Sequence, residues 1–227
     1  MSAIIKKELK NYFLSPIGYV VIGIFLIAFS AFFYLTSVAS SEINLTYLFY
    51  YTALYGLMFI APLITMQAIA GERKSGTDQL LMTSPVSIVN IVIGKFIAAM
   101  ILIIIPVIFT LMYFAILAHY NLPDIPTYLT SILGFLLLSM TYISFGLLAS
   151  SITESPIIAA IVTFAIVFAS TWVPYFVSSL SGLSLMDMFI NFLYGTIDIK
   201  ALVFFITATI LCLVITIILM QRRKSVG

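Results

Sequence analysis

Charged residues are scarce in this sequence: they make up 8% of its 227 residues, whereas hydrophobic residues make up 63%. Soluble domains carry roughly 25% charged and 45–50% apolar residues, so a soluble fold is excluded because it could not bury this much apolar surface. The apolar runs are long and continuous rather than alternating, which favours helices over a membrane β-barrel. The sequence therefore predicts an all-α integral membrane protein.

Residues that perform chemistry are equally scarce. Cys212 is the only cysteine, so no disulfide can form within the chain, and its position inside an apolar run indicates a packed thiol. His119 is the only histidine, and neither metal-ligand spacing nor a nucleophile accompanies it. Gly94-Lys95-Phe96 lacks the other residues of a phosphate-binding loop. We therefore expect the chain not to be an enzyme, and to bind no cofactor or metal itself.

Six apolar runs are long enough to cross a bilayer, at about 20 residues each. They cover residues 16–38, 47–69, 91–118, 128–150, 156–177 and 201–220. Ionisable side chains are almost absent from their middles, which disfavours a proton- or sodium-coupled carrier. We expect a single transmembrane domain over residues 1–227, with an interfacial helix at 1–15, the six-span bundle at 16–220 and a tail at 221–227.

Basic residues are concentrated on one side of the predicted bundle. Nine of the ten lie before the first span, between the second and third, at the start of the third (Lys95), or after the sixth, and only Lys200 lies on the other side. By the positive-inside rule this distribution places both termini in the cytoplasm. The expected location is therefore the cell (cytoplasmic or inner) membrane, crossed several times.

An additional helix is predicted ahead of the first span, over residues 3–14. One face carries Ile5, Leu9, Tyr12 and Phe13, and the lysines lie off that face. This pattern is typical of an amphipathic helix on the inner membrane surface, although a charged flank that only sets topology would also fit.

A second short helix is predicted between the fifth and sixth spans, on the outer side. Five apolar residues follow helical spacing on one face, and three polar or small residues fall opposite: Leu185, Met186, Phe189, Phe192 and Leu193, against Asp187, Asn191 and Gly195. The segment reads as a half-buried helix in the outer interface or as a re-entrant one. A loop packed on the bundle is the alternative.

The segment 71–87 is polar and lies between two apolar runs, and we call it the polar island. Ser75 or Thr77 can cap a turn, and Leu80 and Leu81 begin a small apolar ridge. The pattern predicts a short helix exposed at the cytoplasmic surface. The apolar ridge of this helix would be buried only by contact with a partner. On chemistry alone, a loop that only sets topology is the commoner explanation of such a segment.

Small residues in two of the spans indicate close helix packing. Gly146 and Ser150 are four residues apart in the fourth run, and Gly18 and Gly23 lie in the first. Such spacings allow neighbouring helices to approach closely, although they are weak signals in a membrane protein.

Two stretches of the sequence resemble ABC transporter permeases of the type-2 exporter family. They read Glu72-Arg73-Lys74-x-Gly76-Thr77-x-x-Leu80-Leu81-x-x-x-Pro85-Val86-Ser87, followed by Ile93-Gly94-Lys95-Phe96, and Lys7-Glu8-Leu9-x-x-Tyr12-Phe13-x-Ser15-Pro16. The order of spans and short helices is similar too, especially to short bacterial members such as the gliding-motility and nitrous-oxide-reductase accessory permeases. Family members often carry Glu where this chain has Gln79, so no essential charge is assigned there.

The resemblance implies that different subunits form the membrane path and bind ATP. Two permease subunits, this chain with a second copy or a paralogue, would form an outward path, and separate ABC ATPase subunits would bind ATP and Mg²⁺ beneath them. The polar island would be the coupling helix. The residues implied in coupling are Glu72, Arg73, Lys74, Thr77, Leu80 and Leu81, with Glu154 in the turn between the fourth and fifth spans. No nucleic-acid partner is expected.

Two other functions remain open from the sequence. One is a channel or carrier that works without an ATPase, and the other is a membrane scaffold or enzyme-accessory subunit. The identity of the transported molecule cannot be read from the residues, although a path without fixed charges suits lipids, peptides or amphipathic drugs better than small ions.

Overall fold

The structure is a computed structural model that describes residues 2–39, 45–77, 86–120, 123–176 and 184–226, without the side chains of Tyr175 and residues 224–226. The described residues form helices and no strand. In chain order the helices are α1 (Ser2–Leu14), α2 (Pro16–Phe33), α3 (Thr46–Tyr51), α4 (Met58–Thr65), α5 (Ala70–Lys74), α6 (Ile88–Tyr120), α7 (Ile125–Ile152), α8 (Pro156–Phe176), α9 (Leu185–Leu193) and α10 (Ile199–Val226).

Six helical stretches are long and apolar enough to cross a membrane, which confirms the predicted number of spans. They are Pro16–Val38, Thr46–Lys74, Ile88–Tyr120, Ile125–Ile152, Pro156–Pro174 and Ile199–Arg223. The first begins and ends where the sequence predicted, and the ends of the others move by a few residues. We call them the first to sixth spans.

The second, third and fourth spans form the centre of the bundle. Between 61% and 67% of their most apolar windows are buried, against 22% to 28% in the first, fifth and sixth spans. The peripheral spans therefore leave most of their apolar surface uncovered by this chain, as expected where lipid or another subunit supplies the contact.

Two of the spans contain a π-helical turn that the sequence did not indicate. Tyr34–Val38 continues α2, and Thr52–Leu57 joins α3 to α4 within the second span. A π-helical turn inserts an extra residue and rotates the side chains that follow it. The second span is interrupted again at residues 66–69, between α4 and α5.

The first helix, α1, is present as predicted. Ile4, Glu8 and Tyr12 are buried, and Ile5, Leu9 and Phe13 of the predicted apolar face are half-buried. The side of α1 that packs on the bundle therefore includes Glu8, whose ionic partners are described below.

The glycines of the first span behave differently from each other. A Cβ added to Gly18 would lie 2.9 Å from the backbone carbonyl carbon of Tyr12, so this glycine permits the tight corner between α1 and α2. A Cβ added to Gly23 would meet nothing within 4 Å among the described residues, so this glycine makes no close contact with another described span of the same chain.

The short helix α9 confirms the predicted amphipathic segment between the fifth and sixth spans. Its N-cap Ser184 accepts a hydrogen bond from the Asp187 amide at 3.1 Å, which fixes its start. All five apolar residues predicted for one face are buried, and Phe189 and Phe192 cover Gly134 of α7. The segment is therefore a helix packed on the bundle rather than a loop.

Candidate functional site

Four parts of the chain meet at one end of the bundle, which we call the basic end. They are α1, the region from α5 to Thr77, the turn between α7 and α8, and the last turns of α10. Hydrogen bonds join them in pairs: Lys7 Nζ donates to Glu72, Arg73 Nη1 to the Thr153 carbonyl, and Arg223 Nη2 to the Ile152 carbonyl. The connections predicted to lie on the basic side are thus neighbours in space.

The start of α5 depends on a side chain from another span. The interruption after α4 leaves backbone amides that α4 does not satisfy. The amides of Ile69 and Ala70 both donate to the Ser150 hydroxyl of α7, at 3.2 and 2.9 Å. One turn earlier on α7, Gly146 lies against Thr65 of α4. The predicted close approach at Gly146 is therefore confirmed, and it brings Ser150 within reach of α5.

The end of α5 is closed by hydroxyl groups of the polar island. Ser75 Oγ donates to the carbonyls of Gly71 and Glu72, both at 3.0 Å, and Thr77 Oγ1 donates to the Glu72 carbonyl at 3.2 Å. Gly76 adopts a φ of +71°, a left-handed conformation that glycine accepts without strain. These contacts end the helix and leave Lys74, Ser75, Gly76 and Thr77 exposed.

Three consecutive residues of α5 point in different directions. Glu72 turns towards α1 and α6, with 16% of its side chain exposed. Arg73 is half-buried and reaches the turn after α7, where Nη1 lies 3.1 Å from the Thr153 carbonyl oxygen. Lys74 is exposed. Glu72, Arg73 and Lys74 were all predicted to act in coupling, but only Lys74 presents its whole side chain to a partner.

An ionic cluster connects α1, α5 and α6. Lys95 Nζ of α6 is 2.8 Å from Glu72 Oε2 and 3.0 Å from Glu8 Oε1. Lys7 Nζ is 3.0 Å from Glu72 Oε1 and 3.8 Å from Glu8 Oε1. Lys95 and Glu8 are buried and need partners of opposite charge, whereas Lys7 is 45% exposed at the edge of the cluster. We call these four residues the ionic cluster.

Tyr12 closes the same region from the side of α1. Its hydroxyl donates to the Ile64 carbonyl of α4 at 3.0 Å. Burial, together with the charges of Glu8 and Glu72, raises the pKa of the Tyr12 phenol, so it remains a neutral donor. Ile64 lies at the end of α4, just before the interruption of the second span, so this hydrogen bond connects α1 to α4.

A groove opens at the basic end between α1, α5 and the start of α8. Its volume is about 1070 Å³, and its walls include Asn11, Gln67, Lys74 and Ile157. The ionic cluster contributes Lys7, Glu8 and Glu72 to the same walls.

Comparison with known protein families identifies the chain. The family described as ABC-2 family transporter protein matches residues 51–192, which is more than half of the sequence. The chain belongs to this family. The matched region runs from the second span to α9 and includes the polar island and the turn after α7. The protein is therefore a multi-pass membrane permease component of an ABC transporter, and its family implies ATPase partner subunits.

No curated protein shows significant similarity to this ABC-2 family member. The narrower likeness to gliding-motility and nitrous-oxide-reductase accessory permeases is supported by no finding and stays a prediction.

The predicted coupling residues of this permease are only partly described by the structure. Arg73 lies against the turn that holds Glu154, and Glu154 itself is exposed. Leu80 and Leu81 lie outside the described residues. Glu8 and Lys95 both lie in the stretches that resemble the permease family, but sequence reasoning assigned neither of them a role and did not predict their contact. Two features of the sequence could have indicated this pair. One is a glutamate within a basic amphipathic helix, and the other is a lysine followed by an unbroken apolar run.

Proposed function

We propose that this permease is the membrane subunit of an ATP-driven ABC exporter, and that separate ATPase subunits dock on its basic end. The docking surface consists of the exposed residues Lys74, Ser75, Gly76, Thr77 and Glu154. The observation that carries the proposal is the hydrogen bond from Arg73 to the Thr153 carbonyl, because it joins two connections that are 80 residues apart into one surface.

The roles of the predicted coupling residues differ on this surface. Lys74 is exposed and can pair with acidic groups of an ATPase. Arg73 is half-buried and holds the second connection in place. Leu80 and Leu81 would supply the apolar ridge that the ATPase buries, since buried apolar anchors dominate the energy of such contacts. We place the docking surface in the cytoplasm on the distribution of basic residues.

We further propose that a second copy, or a paralogue, covers the exposed aromatic face of the second span. Tyr47, Tyr51, Tyr55 and Phe59 follow one another at four-residue intervals. The rings of the three tyrosines stack at 6.4 Å, and the Phe59 ring lies 5.4 Å from that of Phe164 on α8.

The length of this aromatic ladder argues against simple lipid exposure. The twelve residue steps from Tyr47 to Phe59 span at most about 18 Å, because Thr52–Leu57 is π-helical, and this is about half of a hydrocarbon core of about 30 Å. Tyrosines that face lipid concentrate at the two membrane interfaces rather than near the middle. Tyr55 is 48% exposed in the single chain, so its face suits a path shared by two permeases and used by amphipathic cargo.

The docking proposal is tested by reconstituting the permease with an ABC ATPase encoded beside it. We expect the two to co-purify and the permease to stimulate ATP hydrolysis, and we expect Leu80→Asp with Leu81→Asp to abolish both. The matched control is Ile197→Asp, which places the same charge at an exposed residue of a connection at the opposite end.

Three outcomes would contradict the proposal. If the Leu80 and Leu81 substitutions leave complex formation and stimulation intact, the docking surface is elsewhere. Transport in liposomes by this chain alone would instead support an ATPase-independent channel or carrier. A stable complex without nucleotide-dependent movement or flux would support a scaffold subunit.

The pairing proposal is tested by cross-linking. In a Cys212→Ala background, a short bismaleimide should join two copies that carry Tyr55→Cys. It should not join copies that carry Phe109→Cys, which is 50% exposed on the third span. Equal cross-linking at both positions would show random collision, and no cross-linking at Tyr55→Cys would exclude a second copy of this chain from that face.

A further inference from the structure

Lys95 occupies an unusual position for a basic residue of a membrane protein. It lies near the start of α6, and only 1% of its side chain is exposed. Lysines that set topology or bind lipid headgroups reach water at the membrane surface. Lys6, Lys10 and Lys74 are exposed in this way. Lys95 is turned inwards instead, so its role must be sought among its partners within the chain.

The partners of Lys95 come from two separate elements. Its Nζ contacts Glu8 of α1 at 3.0 Å and Glu72 of α5 at 2.8 Å. One ammonium group on the third span therefore connects the first helix of the chain with the helix that leads into the polar island. Lys7 adds a second contact between α1 and α5, at 3.0 Å from Glu72 Oε1.

Tight packing supports the same arrangement beside the charges. A Cβ added to Gly94, the residue before Lys95, would lie 2.7 Å from Cγ2 of Ile4 on α1. The backbone of α6 therefore approaches α1 closely at the position from which Lys95 extends. Close packing and a two-sided ionic contact within one turn leave α1, α5 and the start of α6 little freedom to move separately.

The energetics of buried ions indicate that Lys95 holds its neighbours in position rather than adding to the stability of the fold. A buried ion pair seldom stabilises a protein more than well-packed apolar groups would, whereas loss of one partner leaves an uncompensated charge. Charged groups near the membrane interior are therefore retained where their position serves a function.

We propose that Lys95 is a positioning residue for coupling, and that it makes α1, α5 and the start of α6 move as one unit when a partner acts on the polar island. The inference rests on the proposed function. Glu72 serves this internal unit, since both of its carboxylate oxygens contact lysines of the same chain. Force applied at the polar island would thus reach the first and third spans together.

The first test uses the reconstituted complex with the ATPase and measures both docking affinity and permease-stimulated ATP hydrolysis. Lys95→Met should leave the docking affinity unchanged and lower the stimulated turnover by about tenfold or more, since a coupling contact is lost without loss of the docking surface. Lys95→Arg should restore most of the turnover, because it retains the charge and can reach both carboxylates. Lys10→Met, on the exposed face of α1, is the matched control and should change neither quantity.

The second test measures the geometry directly and needs no ATPase. Spin labels at Lys6→Cys and Lys74→Cys, in a Cys212→Ala background, report the distance between α1 and α5 in lipid nanodiscs. The distance distribution should be narrow with Lys95, broad with Lys95→Met and narrow again with Lys95→Arg.

The two arms separate failure of this inference from failure of the proposed function. A distribution that stays narrow in Lys95→Met, or a stimulated turnover that stays normal, would overturn the positioning role. If Lys95→Met does not fold, Glu8→Gln takes its place, since a nearly isosteric side chain then removes the charge from the contact between Lys95 and α1 and leaves the contact between Lys95 and Glu72. If the unsubstituted chain binds no ATPase, the proposed function fails, and the spectroscopic arm still decides whether Lys95 holds the unit together.

Discussion

Gly146 of the fourth span lies against Thr65 of the second, so closely that a Cβ on Gly146 would come within 2.6 Å of the Thr65 Cβ. This approach sets the separation of two central spans at the level where the second span is interrupted. Since Ser150 follows one turn later on the same face, the spacing decides whether its hydroxyl reaches the amides of α5.

Replacement of Gly146 should therefore separate the two spans. We expect Gly146→Val to destabilise the protein by about 1–3 kcal/mol, the usual cost of forcing extra atoms into a packed core. Gly23→Ala is the control: its added Cβ meets open space, and replacing a mid-helix glycine should stabilise the protein by about 0.5–1 kcal/mol. Unfolding by SDS titration measures both, and an equal loss in the two variants would contradict the close approach.

The Ser150 hydroxyl is expected to matter more than other buried hydroxyls of the same helix. Ser150→Ala leaves two buried amides without their partner, at a cost of about 1–3 kcal/mol for each unsatisfied group. Ser139→Ala is a matched control because Ser139 is equally buried on α7 and bonds only to the Phe135 carbonyl of its own helix. The same SDS titration should show a large effect at Ser150 and a small one at Ser139. Similar effects at both would mean that the amides find other partners.

Hydropathy and periodicity predicted those features of the fold that depend on local sequence. The first span was placed to the residue, from Pro16 to Val38, because an apolar run of bilayer length bounded by polar residues leaves few alternatives. The buried face of α9 was predicted for the same kind of reason. Its five apolar residues recur with helical spacing, and Ser184 marks its start.

Features that depend on distant partners could not be predicted in this way. Glu8 and Lys95 are 87 residues apart, and nothing in either segment indicates that the two residues contact each other. Without knowledge of that contact, the burial of Glu8 could not be predicted from the apolar residues of α1. The hydrogen bond between Arg73 and Thr153 escaped prediction for the same reason, because side-chain contacts between connections leave no periodic signal.

The hydroxyl of Tyr12 should contribute to the attachment of α1. Tyr12→Phe removes its hydrogen bond to the Ile64 carbonyl and should cost about 1 kcal/mol, a typical net value for a buried hydrogen bond. Tyr19→Phe makes the same chemical change at a residue that is 63% exposed and should have little effect. The midpoints of thermal unfolding in detergent compare the two, and an equal shift would show that the Tyr12 bond contributes nothing specific.

The side of the membrane on which the basic end lies can be tested with single cysteines. Cys212 is buried, so Cys212→Ala supplies a background without thiols for labelling. Lys74 and Lys200 are both exposed but belong to opposite ends of the bundle, with Lys74 beside the turn after α7 and Lys200 at the start of α10. Because nine of the ten basic residues share the end of Lys74, the positive-inside rule predicts that only Lys200→Cys is accessible from outside.

A membrane-impermeant maleimide should therefore label Lys200→Cys in intact cells and label Lys74→Cys only after the membrane is opened. The opposite pattern would invert the topology, and an ATPase could then not reach the docking surface from the compartment that holds ATP. Labelling of both positions in intact cells would show that the two residues share one side, which contradicts an odd number of spans between them. Since the docking proposal requires Lys74 to face the nucleotide, this measurement should precede the reconstitution with an ATPase.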